Sequence, residues 1–277
     1  MHRDIQHFSF AGETPTSLNL FFFAGETPTS LKLNIEHKIQ RLFHKACADY
    51  GLLEDDDRIL VAVSGGKDSL ELVRLLGMQQ RIFKPRIEVG AAHVVMDNIP
   101  YDTDRTYLQE FCQANGVRLN ILHASFDEST DRRKTKCFLC SWNRRKALFE
   151  YARDNGYNKV ALGHHQDDFI TTLLMNMTFE GAISTMQPRM PMRHYPLSVI
   201  RPLCLVAEKD IREVAMSLGF EKQKTPCPYE TKTRRKDINE VFHRLEELNP
   251  EARYSLWRAM QVKSQNCRGR DAHVPEE

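Results

Sequence analysis

The sequence predicts an α/β fold: a doubly wound parallel sheet with a small C-terminal helical extension. Three observations predict it. Short apolar runs rich in β-branched residues alternate with stretches of helical period, the pattern of a parallel sheet with helices on both faces. The first apolar run, Arg58 to Val63, leads straight into Ser64-Gly-Gly-Lys-Asp-Ser69 and then a helix. The fourth, Lys159 to Leu162, leads into Gly163-His-His-Gln-Asp-Asp168 and another helix. Open sheets of this kind bind ligands beyond the carboxyl ends of their strands, so both glycine-bearing turns fall where a site belongs.

The elements follow in order. FSFAGETPTSLNL at 8–20 returns as FFFAGETPTSLKL at 21–33. Two copies are too few to stack into a solenoid, so residues 1–33 are expected to form a loosely ordered leader. Ile35, Ile39, Leu42, Phe43, Ala46 and Cys47 share one helical stripe, which Gly51 ends. After the strand at 58–63, a helix is expected from about Ser69 to Met78, a strand over 87–96, a helix near 101–115 and a strand over 117–123. A basic loop then leads to Cys137, and a helix runs from about Trp142 to Asn155. The strand at 159–162 precedes a helix over 167–179. Four prolines between 188 and 202 mark a loop, and helices near 208–218, 235–247 and 250–262 complete an appended unit. The expected organisation is thus leader 1–33, nucleotide-binding domain 34–203, helical unit 204–263 and tail 264–277.

Bulk properties narrow the function classes. A chain of 277 residues can bury a full core. No run approaches the ~18 apolar residues of a membrane span. Glu13, Pro15, Glu26 and Pro28 interrupt the Phe-rich start, which lacks the layout of a signal peptide. The expected compartment is the cytoplasm, with all seven cysteines reduced. A net charge of only +2 means that affinity for nucleic acid requires charge sorted onto one face.

Such sorting is visible. Seven Lys or Arg residues and one Asp lie between Asp131 and Lys146, around Cys137-Phe-Leu-Cys140. Arg132, Arg133, Lys134, Lys136, Arg144 and Arg145, with Lys232, Arg234, Arg235 and Lys236 further on, suit the phosphates of an RNA. Each alone reads as a solvated charge; the cluster reads as an RNA face.

Ser64-Gly-Gly-Lys-Asp-Ser69 suits a polyphosphate. Gly65 and Gly66 let backbone N–H groups approach an anion, Ser64 and Ser69 offer hydroxyls, Lys67 a point charge, and Asp68 completes the turn into a helix whose positive end faces the same anion. The spacing is not that of the longer Walker loop. In the second turn, after Gly163, Asp167 and Asp168 are candidates to hold Mg²⁺ or steer a nucleophile, with a helix cap as the plain alternative. His164 is a candidate phosphate contact, and Asp97 at the end of the second strand a candidate at the nucleotide edge.

A third cysteine, Cys227, stands between two prolines. Three thiolates suit an iron–sulfur cluster with one iron open to an extra sulfide, but spacing alone does not separate iron from zinc. Cys47, Cys112 and Cys204 read as small buried hydrophobes.

The strand–SGGKDS–helix unit resembles the N-type ATP pyrophosphatases, the PP-loop ATPases, which implies ATP as cofactor and adenylation of a substrate. Taken with CxxC and its basic flank, LGHHQDD, IRPL near 200, the lone Pro226-Cys227 and the closing SLWRAMQ, residues 35–263 resemble the tRNA 2-thiocytidine synthetases. That resemblance implies a 4Fe–4S cluster on Cys137, Cys140 and Cys227, and ATP-dependent replacement of the C2 oxygen of an anticodon-loop cytidine by sulfur. Lys67, Asp167 and Asp168 are then the catalytic candidates, tRNA the substrate, and sulfide or a cysteine desulfurase the sulfur donor. A homodimer is left open. Members often carry PCxxC where this chain reads Pro226-Cys-Pro-Tyr-Glu230, so a spare ligand is absent. The rival readings are lysidine formation, uridine thiolation, and a non-catalytic nucleotide module with structural zinc.

Overall fold

Alternation along the strands sets the layers. In β1 (Asp57–Ala62), Ile59 and Val61 enter one apolar core while Leu60 enters another, because successive side chains leave a strand on opposite faces. The same split recurs in β2 (Ile87–Met96), whose Val89 and Ala91 face the first core and whose Ala92, Val94 and Met96 face the second. It recurs again in β4 (Lys159–Ala161), with Ala161 and Val160 on opposite sides. Runs that are apolar at every position are therefore central strands covered on both faces. The computed structural model describes residues 30–99, 103–126, 135–221 and 234–266.

Six strands form one sheet in the order β3-β2-β1-β4-β6-β5, with β3 at Arg118–Ala124, β5 at Arg189–Pro191 and β6 at Ser198–Ile200. All neighbours are parallel except the β5–β6 pair at one edge. The first core receives α1 (Ser30–Asp49), α2 (Lys67–Gln79), α3 (Arg105–Ala114) and α6 (Glu208–Ser217). The second is closed by α4 (Lys136–Asp154), through Leu148, Phe149 and Ala152. Helix α5 (Gln166–Met175) runs on into a π-helical turn at Asn176–Glu180 and is contacted by α7 (Arg234–Leu248) and α8 (Ala252–Asn266). The doubly wound α/β sheet expected from the sequence is thus present. Among the described residues no helix is long and apolar enough to cross a membrane.

Two local expectations need adjustment. The proline-rich stretch at 188–202 contains β5 and β6; Pro191 is tolerated because it ends the antiparallel edge strand, where no inner ladder needs its N–H. Helix α4 starts at Lys136 rather than near Trp142. Thr135 is its N-cap, accepting the Phe138 N–H at 3.2 Å, a capping signal that the surrounding basic residues obscured. The leader up to residue 29, the tail from 267, and the expectations placed on Arg132, Arg133, Lys134, Cys227 and Lys232 lie outside the described residues.

Candidate active site

The chain leaves β1 toward β2 on one side and leaves β4 toward β6 on the other, so the order reverses between β1 and β4. Crevices at such reversals are where open α/β sheets bind ligands. Both glycine-bearing turns occupy this point.

Gly65 has φ +89°, a left-handed backbone that a side chain would strain. Gly66 is the N-cap of α2 and supplies no side-chain cap, which leaves the first amides of the helix directed at the crevice. The serines brace the loop from within. Ser69 Oγ donates to the Gly66 carbonyl at 2.8 Å and accepts the Ser64 N–H at 3.2 Å, while Ser64 Oγ accepts the Gly66 N–H at 3.3 Å. Lys67 Nζ lies 3.2 Å from Asp68 and 3.0 Å from Glu208 Oε1 at the start of α6. Burial works against its ammonium, but the two carboxylates outweigh burial and raise its pKa above the ordinary lysine value. Lys67 is a fixed positive charge.

Gly163 joins the two turns. A Cβ there would sit 3.1 Å from the Asp68 carbonyl and the Ser69 nitrogen, so only glycine lets the second turn press on the backbone of the first without shifting it. His164 Nδ1 accepts from Arg201 Nε at 3.1 Å, and Arg201 also donates to the Gln187 carbonyl. Burial, with Arg201 beside it, lowers the His164 pKa to about 4, so the imidazole is a neutral acceptor at pH 7.

The two aspartates at the start of α5 turn in different directions. Asp167 is 3% exposed; Oδ2 accepts the Glu208 N–H and Oδ1 accepts Arg253 Nη2 of α8, both at 2.7 Å. Arg253 is held in turn by Glu246 at 2.8 Å and lies over the Phe242 ring. Burial raises the Asp167 pKa, but Arg253 and the Glu208 amide overcome it and the net shift is downward. Asp168 Oδ2 accepts the His165 N–H at 2.9 Å, which caps α5, while Oδ1 meets Arg235 Nη2 of α7 at 2.6 Å. The C-terminal helices therefore reach into the crevice through two arginines. Arg235, expected to grip RNA, is engaged with Asp168, and neighbouring Arg234 lies over the Phe179 ring.

Asp167 ties α5 to α6 and α8. Asp167→Asn is expected to cost about 3 kcal/mol at pH 7, because a mostly buried guanidinium loses its charged partner. A carboxylate whose pKa is lowered on folding stabilises fully above its unfolded value, ordinarily 3.8, and loses that contribution as pH falls through the folded value. Urea unfolding at pH 7 and pH 3 should show the gap between wild type and variant closing in acid.

Asp97 follows β2 at the same sheet edge and pairs with His123 Nδ1 at 2.7 Å, both exposed. Cys137 and Cys140 occupy the first turn of α4, Cys137 exposed and Cys140 packed partly against the second core. Three positions apart on a helix, they share a side and have the spacing to bind one centre. The far end of α4 is pinned at the amino edge of the sheet, where the Asn155 and Gly156 carbonyls accept from Arg58 Nη1 at 3.0 and 3.2 Å. Nineteen residues at ~1.5 Å each span nearly 30 Å, so the cysteine turn emerges at the carboxyl edge, as the SGGKDS loop does. Two cysteines on one helical turn offer soft sulfur donors to a common point, so this pair fits an iron–sulfur cluster. Asp167 is a poor magnesium ligand as it stands, because both its oxygens are engaged by Arg253 and the Glu208 amide.

Sequence reasoning missed Glu208 and Arg253. Each lies in a segment whose only visible signal is helical period.

Sheet order, reversal point and SGGKDS loop together define a PP-loop protein, and the family profile of the PP-loop domain matches residues 31–235. A tRNA-cytidine(32) 2-sulfurtransferase of Syntrophotalea carbinolica is 35% identical over 223 residues, 79% of this chain and 86% of that protein. One from Geotalea daltonii is 35% identical over 230 residues, 80% of this chain and 90% of its own. The chain belongs to this family of PP-loop enzymes. Its fold is also similar to the U34-tRNA thiolase NcsA of Methanococcus maripaludis, described with its 4Fe–4S cluster. The TM-score is 0.70 and the identity 23%, over 89% of this chain and 82% of that one.

Proposed function

We propose that this enzyme replaces the C2 oxygen of a tRNA cytidine by sulfur, using ATP to activate that oxygen. The relatives named above act on cytidine 32 of tRNA, and we assign the same position here. The single observation that carries the reading is the shared sheet edge: the SGGKDS loop and the Cys137–Cys140 turn both emerge at the carboxyl ends of the strands.

The chemistry divides into two stages. A cytosine C2 carbonyl is a poor electrophile and its oxygen a poor leaving group. In the first stage that oxygen attacks the α-phosphate of ATP, forming a C2–O–AMP ester and releasing pyrophosphate. The free amides at the start of α2 and the ammonium of Lys67 stabilise the charge that builds on the departing phosphates. Gly163 keeps the second turn against the loop, and neutral His164, held by Arg201, puts an imidazole rather than a further charge on the cleft wall. In the second stage a sulfur nucleophile adds at C2 and AMP leaves with the original oxygen. Cys137, Cys140 and Cys227 would hold the 4Fe–4S cluster, which when bound presents the sulfur taken from a donor such as sulfide or a cysteine desulfurase. Arg144, Arg145, Lys136 and the basic segments before α4 and α7 hold the tRNA backbone, so one extruded base can enter the cleft.

The test is mass spectrometry of nucleosides from tRNA incubated with the anaerobically reconstituted enzyme, ATP and sulfide. 2-Thiocytidine with equal AMP and pyrophosphate supports the reading. Lysidine formed when lysine replaces sulfide, 2-thiouridine, or ATP turnover with unmodified tRNA would each replace it.

A further inference from the structure

One face of α4 remains unexplained by core packing. Cys137, Phe138, Ser141, Trp142, Arg145 and Lys146 are all exposed, in two adjacent rows of four-residue spacing. The rows are real in space: Arg145 Nη2 donates to Ser141 Oγ at 3.2 Å, and Lys146 Nζ stands 5.7 Å from the Trp142 ring centroid. Trp142 is 47% exposed, whereas the other tryptophan of the chain, Trp257, is 9% exposed and packed on Phe169. Among the described residues the indole of Trp142 belongs to neither core, and its ring presents an aromatic face at the surface.

We infer that Trp142 is a stacking platform for an unpaired nucleobase of the RNA substrate, with Arg145 and Lys146 on the flanking phosphates. This rests on the tRNA reading and extends it to a particular contact. Charge complementarity selects the occupant. Aromatic rings interleaved with cations are how single-stranded nucleic acid is held, since every base has a π-face and every linkage a charge. Trp142 follows Cys140 by only two residues, so a base stacked on it would hold the anticodon loop open close to the cysteine turn.

The test uses the full-length enzyme, a fluorescein-labelled anticodon stem-loop with its unpaired loop, and a fully paired RNA hairpin of equal charge. Trp142→Ala is expected to weaken stem-loop binding by about 5- to 100-fold while leaving the paired hairpin unchanged. Trp142→Phe should recover most of the loss, because a ring remains. The wild-type indole emission should be quenched by the stem-loop, and the residual emission of Trp142→Ala should not respond. Equal stem-loop affinity of wild type and Trp142→Ala, without quenching, overturns the platform while leaving tRNA as substrate. Normal RNA binding by Trp142→Ala with impaired sulfur transfer only from a donor protein would instead make this face a protein-docking surface. Failure of the wild type to bind any RNA removes the tRNA reading and the platform together.

Discussion

Lys67→Ala is expected to lower the rate of tRNA-dependent pyrophosphate release by about 10²- to 10³-fold, the usual loss when one fixed donor to a developing anion is removed. The argument is electrostatic. Lys67 stands between Asp68 and Glu208 with its side chain only 28% exposed, and these carboxylates keep it charged whatever the working pH. The ammonium is therefore placed before the nucleotide arrives, so little reorganisation accompanies the reaction. Arginine should restore charge but not rate. Its planar fork is larger than an ammonium and cannot occupy the same gap, so Lys67→Arg is expected to remain at least tenfold impaired. Steady-state pyrophosphate release and ATP affinity, measured on the same preparations, separate a transition-state effect from lost binding. A kcat unchanged in Lys67→Ala would remove Lys67 from the chemistry.

The fold was legible because parallel strands covered on both faces are written as continuous apolar runs, as in Leu60-Val-Ala-Val63, and the helices between them keep their period. The phosphate loop was legible because its chemistry is local: six consecutive residues hold the turn, the charge and the helix start. What was not legible is long-range. Glu208 donates its amide to Asp167 at 2.7 Å from across the chain, and Arg253 reaches the same carboxylate from the last described helix. No period or spacing encodes such a meeting; only the packing of α6 and α8 against α5 creates it. The short strands β5 and β6 were hidden for another reason. Each has three residues, too few to show alternation, and prolines nearby signal a turn just as strongly.

Cys137→Ala should separate the two halves of the proposed reaction. Cys137 is exposed on the first turn of α4, so its removal leaves no cavity, whereas Cys140 packs partly on the second core and its loss would mix packing with ligation. The cap from Thr135 to the Phe138 amide does not involve the thiol, so the helix should start unchanged. The proposed adenylation would draw on Lys67 of α2 and on the amides of the loop between β1 and α2, not on α4. The variant is therefore expected to lose bound iron and labile sulfide and to form no 2-thiocytidine. It should still release pyrophosphate when tRNA and ATP are supplied, at a rate within about threefold of wild type, because the nucleotide loop is built by other elements. Iron content, visible absorption and pyrophosphate release are read on one anaerobic preparation. A variant that keeps its iron and thiolates normally would take Cys137 out of the cluster. One that loses pyrophosphate release in step with thiolation would show that the sulfur site and the ATP cleft act as a single unit, against the two-stage chemistry derived from their separate elements.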